Sequence, residues 1–403
     1  MVDGKLAHAP REAWITGIGI VSCLGEGLDA HWQGFAGNKR VIDTESFAPF
    51  IVHPLAPIDF DKQIPKKGDQ RQMEPWQRIG TYAAGLALDS AGAKGNKELL
   101  GRMDMIVAAG GGERDEAVDS AILTALPKAE HPDRFLNERL TSDLRPTLFL
   151  AQLSNLLAGN ISIVHGVTGS SRTFMGEELS GVEAVRIALA RIAAGQSEIA
   201  LVGGSYNGER SDVVMLFEFG GFCLEGEFRP VWEREPKGGF AVASLGAFLV
   251  IESRAHATAR NAAPIARLTS VASGYSRRGN PGAIEAELAR LWPRVAGPLR
   301  PGTAAVISGA TGAAPATAEE KSFLATHPEL PVRATGTLIG HGVEPQMVMN
   351  VALAAMAVNR GKLFPPSDRA GFERPMEGAL TQAVVTGVGH WRGEGLALVE
   401  AVG

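Results

Sequence analysis

Few side chains in this sequence have the type and spacing to do chemistry. Nine histidines are scattered over 403 residues, and none stands at the short spacing that metal-ligating pairs use, so spacing yields no metal site. The two cysteines, Cys23 and Cys223, exclude both a disulfide framework and a thiolate metal cluster. Cys23 directly follows an apolar run, in Ser22–Gly25 (SCLG), and is either a reactive thiol or a small buried residue. Burial is the commoner state of a free cysteine, and the same two readings hold for Cys223. His341 closes Thr335–His341 (TGTLIGH), after a strand-like run and at a glycine turn ahead of a helical pattern. α/β folds place ligand-contacting groups at such turns; a satisfied structural histidine is the other reading.

The elements that would carry these residues alternate. Ala13–Val21 reads as a strand turning at Gly25, and Gln77–Ala91 as a helix stopped at Gly92. Met103–Ala109 is a buried-strand run closed by three glycines. Gly181–Ala194 is a helix followed by the strand Glu198–Val202, and Ala247–Glu252 is a further strand. The theme then repeats: strand Ala304–Ile307, helix Ala318–Thr326, strand Val332–Thr335, helix Pro345–Asn359, and a hairpin of Ala383–Val388 with Leu396–Ala401. Such alternation predicts parallel sheets covered by helices on both faces. Residues 1–11, Pro57–Gln72 and Arg277–Pro281 are the expected least ordered segments.

Composition narrows the classes. Hydrophobic residues at 45% and charged residues at 21% exclude a largely disordered chain. The formal charge of −5, without a Lys/Arg stripe, argues against nucleic acid as the main partner. No apolar run reaches the ~18 residues of a membrane span. The first residues, MVDGKLAHAPREAW, lack the apolar core of a signal peptide, so the expected location is the cytoplasm.

Five stretches, in order, resemble the β-ketoacyl-acyl-carrier-protein synthases, the condensing enzymes of fatty-acid and polyketide assembly. They are Ile15–Gly25 (ITGIGIVSCLG), Arg71–Gly92, Asn160–Gly169 (NISIVHGVTG), Leu201–Gly204 (LVGG) and Arg229–Glu252 (RPVWEREPKGGFAVASLGAFLVIE). The resemblance runs over residues 13–400. It implies an α/β thiolase-like fold of two related βαβαβαββ halves, at 12–253 and 254–403, in a five-layered α-β-α-β-α arrangement. It also implies a dimer, acyl carrier protein as a partner, and no cofactor. In that family a Cys thiolate attacks an acyl thioester, and two histidines stabilise the oxyanion.

The same resemblance locates what has changed. Past Asn160 the family's glycines are present as Gly166, Gly169 and Gly181, but the nucleophile position, eighteen past Asn160, is Glu178. The segment of the first family histidine corresponds to Ser308–Pro315 (SGATGAAP), with Gly309 or Ala310 in the histidine's place. Gly336–His341 keeps the second histidine as His341 and lacks the Lys before it. The C-terminal glycine-rich motif is reduced to Gly387–Arg392 (GVGHWR). Glu178 and His341 are therefore the candidate site residues, with Phe240 and Gly389 as substrate-contacting positions. The resemblance implies a non-condensing subunit akin to chain-length factors, in a homodimer or paired with a Cys-bearing ketosynthase. An altered chemistry on acyl-carrier-protein thioesters and an active synthase with an atypical site are the alternatives. Lys66, Lys67 and Arg71 fall where such synthases carry a docking patch for the acidic carrier protein; a solvated charge cluster interrupted by Asp69 is the plain reading.

Overall fold

The computed structural model describes residues 10–143, 150, 152–235 and 238–403. Residues 1–9 of the N-terminal segment, and two residues within the Arg229–Glu252 stretch, lie outside them.

The chain forms ten principal strands, most of them continuous buried runs: β1 (Ala13–Ser22), β2 (Asp104–Ala109), β3 (Ser171–Met175), β4 (Ile199–Tyr206), β5 (Leu245–Ser253), β6 (Ala266–Gly274), β7 (Ala304–Ser308), β8 (Val332–Ala334), β9 (Gln382–Val388) and β10 (Glu394–Glu400). The first five lie in the order β3-β2-β4-β5-β1 and the last five in the order β8-β7-β9-β10-β6. The two halves thus repeat one topology. They join where Ala13–Ile15 of β1 runs antiparallel to Ala266–Leu268 of β6.

The sheets are mixed, which corrects the expectation of parallel sheets. β3, β2 and β4 are parallel, whereas β5 runs antiparallel to β4 and β1. Likewise β8, β7 and β9 are parallel, and β10 is antiparallel to β9 and β6. The β9–β10 connection is too short to carry the crossover that a parallel neighbour needs.

Six helices complete the layers: α1 (Pro75–Ser90), α2 (Leu156–His165), α3 (Glu177–Ala193), α4 (Ala283–Leu291), α5 (Ala316–Ala325) and α6 (Gln346–Arg360). Alternate residues of each strand face different cores, as the pleat requires. In β7, Ala305 and Ile307 point to the core that holds α3 and α6, while Val306 points to the core under α4 and α5. In β2, Ile106 and Ala108 face α3, and Met105 and Val107 face α1 and α2. The order of layers is therefore helix, sheet, helix pair, sheet, helix. The central α6 is buried from Gln346 through Val358, as befits a helix that is largely apolar on every side. On the outer face, α1 lies so close to β1 that a Cβ at Gly19 would stand 2.0 Å from the Ala83 carbonyl oxygen. Only glycine admits that approach.

Three local readings change. Helix α3 starts at Glu177 rather than Gly181, because Gly176 takes a positive φ of 99° at its N-cap. Strands β3 and β6 escaped the sequence reading because both mix polar with apolar residues and are only partly buried. Pro57–Gln72, expected to be poorly ordered, holds a 3-10 turn at Phe60–Lys62 and a helical turn at Lys67–Gln72. Among the described residues no helix is long and apolar enough to cross a membrane.

Candidate functional site

Three loops at one end of the strands converge on a single carboxylate. Glu178 is the second residue of α3, just after β3, so its side chain sits in the positive end of a 17-residue helix. His341 follows the helical turn Gly336–Ile339, and its backbone is pinned by hydrogen bonds to Ala241 and Ala243. His390 lies in the turn between β9 and β10, closed by the Gly389 N–H donating to the Gly393 carbonyl at 2.9 Å.

The His341 Nε2–H donates to Glu178 Oε1 at 2.8 Å, and the His390 Nδ1–H donates to the same oxygen at 2.6 Å. All three side chains are buried. The other ring nitrogen of His390 lies 2.9 Å from Thr311 Oγ1. Phe240 closes the cluster from the side, its ring centroid 5.0 Å from that of His341 and 4.6 Å from that of His390. Gly389 is close-packed here, since a Cβ on it would stand 3.1 Å from Glu178 Oε2.

The electrostatics follow from burial and these contacts. Burial by itself would raise the Glu178 carboxyl. The charge of His390 and the hydrogen bonds from both rings outweigh it, and the group lies well below the usual carboxylate range. His341 is moved the other way from a charged state: burial lowers it, with Glu178 offsetting only part of the shift. A neutral His341 donating to an ionised Glu178 is the consistent pair. Nearby, burial pushes the Glu344 carboxyl up to about 7, with the charges of Glu178 and Glu177 adding to it. Glu344 and Glu177 line a cleft of about 560 Å³, together with Trp76, Tyr206, Arg210 and Trp391. Glu178, His341 and His390 are not among its lining residues; they stand behind that wall.

Of the residues singled out from sequence, the structure brings Glu178, His341, Phe240 and Gly389 together. Lys66, Lys67 and Arg71 are exposed on or beside the Lys67–Gln72 turn, where Lys67 pairs with Asp61. The two thiols are buried, and burial pushes each up to about 12. Cys23 Sγ donates to the Leu338 carbonyl at 3.3 Å and Cys223 Sγ to that of Val214 at 3.4 Å. Neither supplies a thiolate. His390 was missed. Its signal was present in Gly387–Arg392 (GVGHWR), a segment read only for the glycines it had lost. The segment Ser308–Pro315 also reaches the site, through Thr311.

Two five-stranded sheets of identical order with a helix pair between them are the thiolase-like fold. The chain matches the β-ketoacyl synthase N-terminal domain over residues 11–257, and it belongs to the β-ketoacyl synthase family. It is 24% identical over 266 residues to 3-oxoacyl-(acyl-carrier-protein) synthase 2 of Vibrio cholerae serotype O1, a match spanning 62% of this chain and 60% of that enzyme's length. Among solved structures it resembles the ishigamide ketosynthase/chain length factor, with a TM-score of 0.79 and 19% identity over 98% of this chain and 100% of the other. It also resembles the AntDE:AntF assembly, a type II PKS acyl-carrier protein in complex with its ketosynthase bound to the hexaketide, with a TM-score of 0.74 and 18% identity over 98% and 100%.

Proposed function

We propose that this protein is a non-condensing subunit of a fatty-acid or polyketide synthase system. It pairs with a Cys-bearing ketosynthase and lends it dimer surface and channel wall. Residues 12–253 and 254–403 are its two ketosynthase-like halves, and it works with an acyl carrier protein, in the cytoplasm. The observation that carries this is the state of Glu178. At the position where relatives hold a thiol, an ionised carboxylate is locked by two histidines behind the wall of the cleft. Acyl transfer needs an exposed, activated nucleophile, and this group is neither. The same observation weighs against Glu178 as a general base on an acyl thioester, since both rings already donate to its Oε1. Resemblance to the ishigamide ketosynthase/chain length factor supports the pairing.

The test is co-expression with candidate Cys-bearing synthases, read by size exclusion and native mass. A one-to-one complex is expected, while the chain alone leaves acyl and malonyl thioesters uncondensed. Condensation by the purified chain, abolished by Glu178→Ala, would overturn the proposal.

The carrier-protein surface has its own test. Lys67 and Arg71 lie one helical turn apart and are exposed, so they present positive charge on one face. Reversing both to Glu is expected to weaken carrier-protein capture in a pull-down by tenfold or so, through lost steering and complementarity. Unchanged capture would place the docking surface elsewhere.

A further inference from the structure

We propose that Glu178, His341 and His390 form a divalent transition-metal site of the two-histidine, one-carboxylate kind. One donor atom from each residue lies within 4.8 Å of the other two, and all three residues are buried. The donors come from three separate anchored segments: the first turn of α3, the loop ahead of α6, and the β9–β10 turn.

Four features favour an ion here. First, the donors are already gathered. An ion about 2.0–2.1 Å from each of its donors in a tetrahedral array sets them about 3.3 Å apart, so the separations of 2.8 and 2.6 Å from Glu178 Oε1 need to widen by only about half an ångström to admit one. Second, the hydrogen bonds leave the carboxylate half satisfied. Oε1 takes both rings, while the buried Oε2 has no partner. A buried carboxylate oxygen without a donor is costly, and a cation bridging the cluster answers that cost. Third, the outer contact of His390 is that of a metal ligand, whereas the Nδ1 of His341 is buried without a partner. With Nδ1 of His390 on the ion, its Nε2–H donates to Thr311 Oγ1, 2.9 Å away, which fixes the ring and its tautomer. Fourth, the charge is right. Glu344 is a second buried carboxyl close by, its Oε2 also unpartnered, and the described site holds no Lys or Arg in contact with Glu178.

Nitrogen and carboxylate donors in this ratio suit zinc, cobalt or ferrous iron rather than magnesium or calcium. Three protein ligands leave coordination positions open. Each ring must turn a bare nitrogen to the ion, so the proton that now points at Glu178 moves to the ring's other nitrogen as the ion enters. Spacing does not reveal this site, because its two histidines stand 49 residues apart in different loops. The proposal stands independently of whether the chain pairs with a synthase.

The full-length chain, stripped with chelator, would be dialysed against Zn²⁺ and its metal content measured. Co²⁺ would serve as a visible-absorbing substitute in parallel. About one equivalent of zinc per chain is expected, with cobalt d–d bands of a nitrogen–oxygen site and a zinc-dependent rise in melting temperature. Glu178→Gln and His390→Gln are expected to weaken binding at least 10-fold, while Cys223→Ser leaves it unchanged. Should a variant fail to fold, the wild-type stoichiometry and cobalt spectrum decide alone. Wild type that holds no zinc at micromolar free metal, or that shows cobalt bands of thiolate coordination, overturns the site. Equal binding by wild type and folded Glu178→Gln does the same.

Discussion

Between pH 6.5 and 4 the protein is expected to lose about 4 kcal/mol of stability per pH unit, and to unfold above pH 4. The cause is three histidines folded into the interior as neutral rings. His31 is lowered to about 4 by burial, His53 to about 3 by burial and the Arg234 charge, and His165 to about 4 by burial. Their hydrogen bonds suit the neutral form: His31 bridges Ser22 Oγ at 2.8 Å and the Gly27 carbonyl at 2.7 Å, and His165 meets the Thr81 carbonyl at 2.8 Å. A folded value below the unfolded one means that the unfolded chain binds more protons once pH drops below about 6.5. The contribution is whole above that pH and is lost as acid is added. Each ring accounts for roughly 1.4 kcal/mol per pH unit, and three together rival a total stability of about 5–15 kcal/mol within a few units. Denaturant unfolding at pH 7.5, 6 and 5 measures the slope. A slope under about 1.4 kcal/mol per unit, less than one proton taken up, would mean that these rings are already charged in the fold.

Removing the His390 ring is expected to cost about 3–5 kcal/mol, because His390→Ala strips one of two donors from a fully buried carboxylate and leaves its charge uncompensated. Glu178→Gln keeps an acceptor for both rings without the charge and is expected to cost about 1–2 kcal/mol. The informative variant is the pair. With Gln at 178 there is no charge left to strand, so the double substitution should be less harmful than the sum, by about 1–3 kcal/mol. Chemical denaturation of the four proteins closes the cycle. Strict additivity would show that His390 matters for packing against Phe240 and Phe222 rather than for holding Glu178.

Much of the fold was written in local pattern. The runs at β2, β4, β5 and β7 are dense in β-branched and small apolar residues because each is buried on both faces. α6 announced itself by a fifteen-residue run rich in Ala, Met and Leu with no Gly or Pro to break it. β3 and β6 carry Ser, Arg and Thr on faces that are only partly covered, so no periodicity marks them. The site divides in the same way. Glu178 and His341 could be placed because glycine spacing and a Gly-His pair fix them along the chain. His390 could not. Its importance arises from a convergence of loops more than 200 residues apart in sequence, Glu178 to His390, which no local pattern encodes.

The repeated strand order has one more effect. Glu178 follows the third strand of its half at the start of α3, and His341 follows the third strand of its own half ahead of α6. Duplication thus sets the beginnings of two long helices against each other, close enough that a Cβ on Gly181 would stand 2.2 Å from the Glu344 carbonyl oxygen. Both helices turn the positive ends of their dipoles toward the same small volume. The backbone therefore makes a basin for negative charge there whatever side chains occupy it, and the scaffold itself accounts for part of what keeps Glu178 ionised.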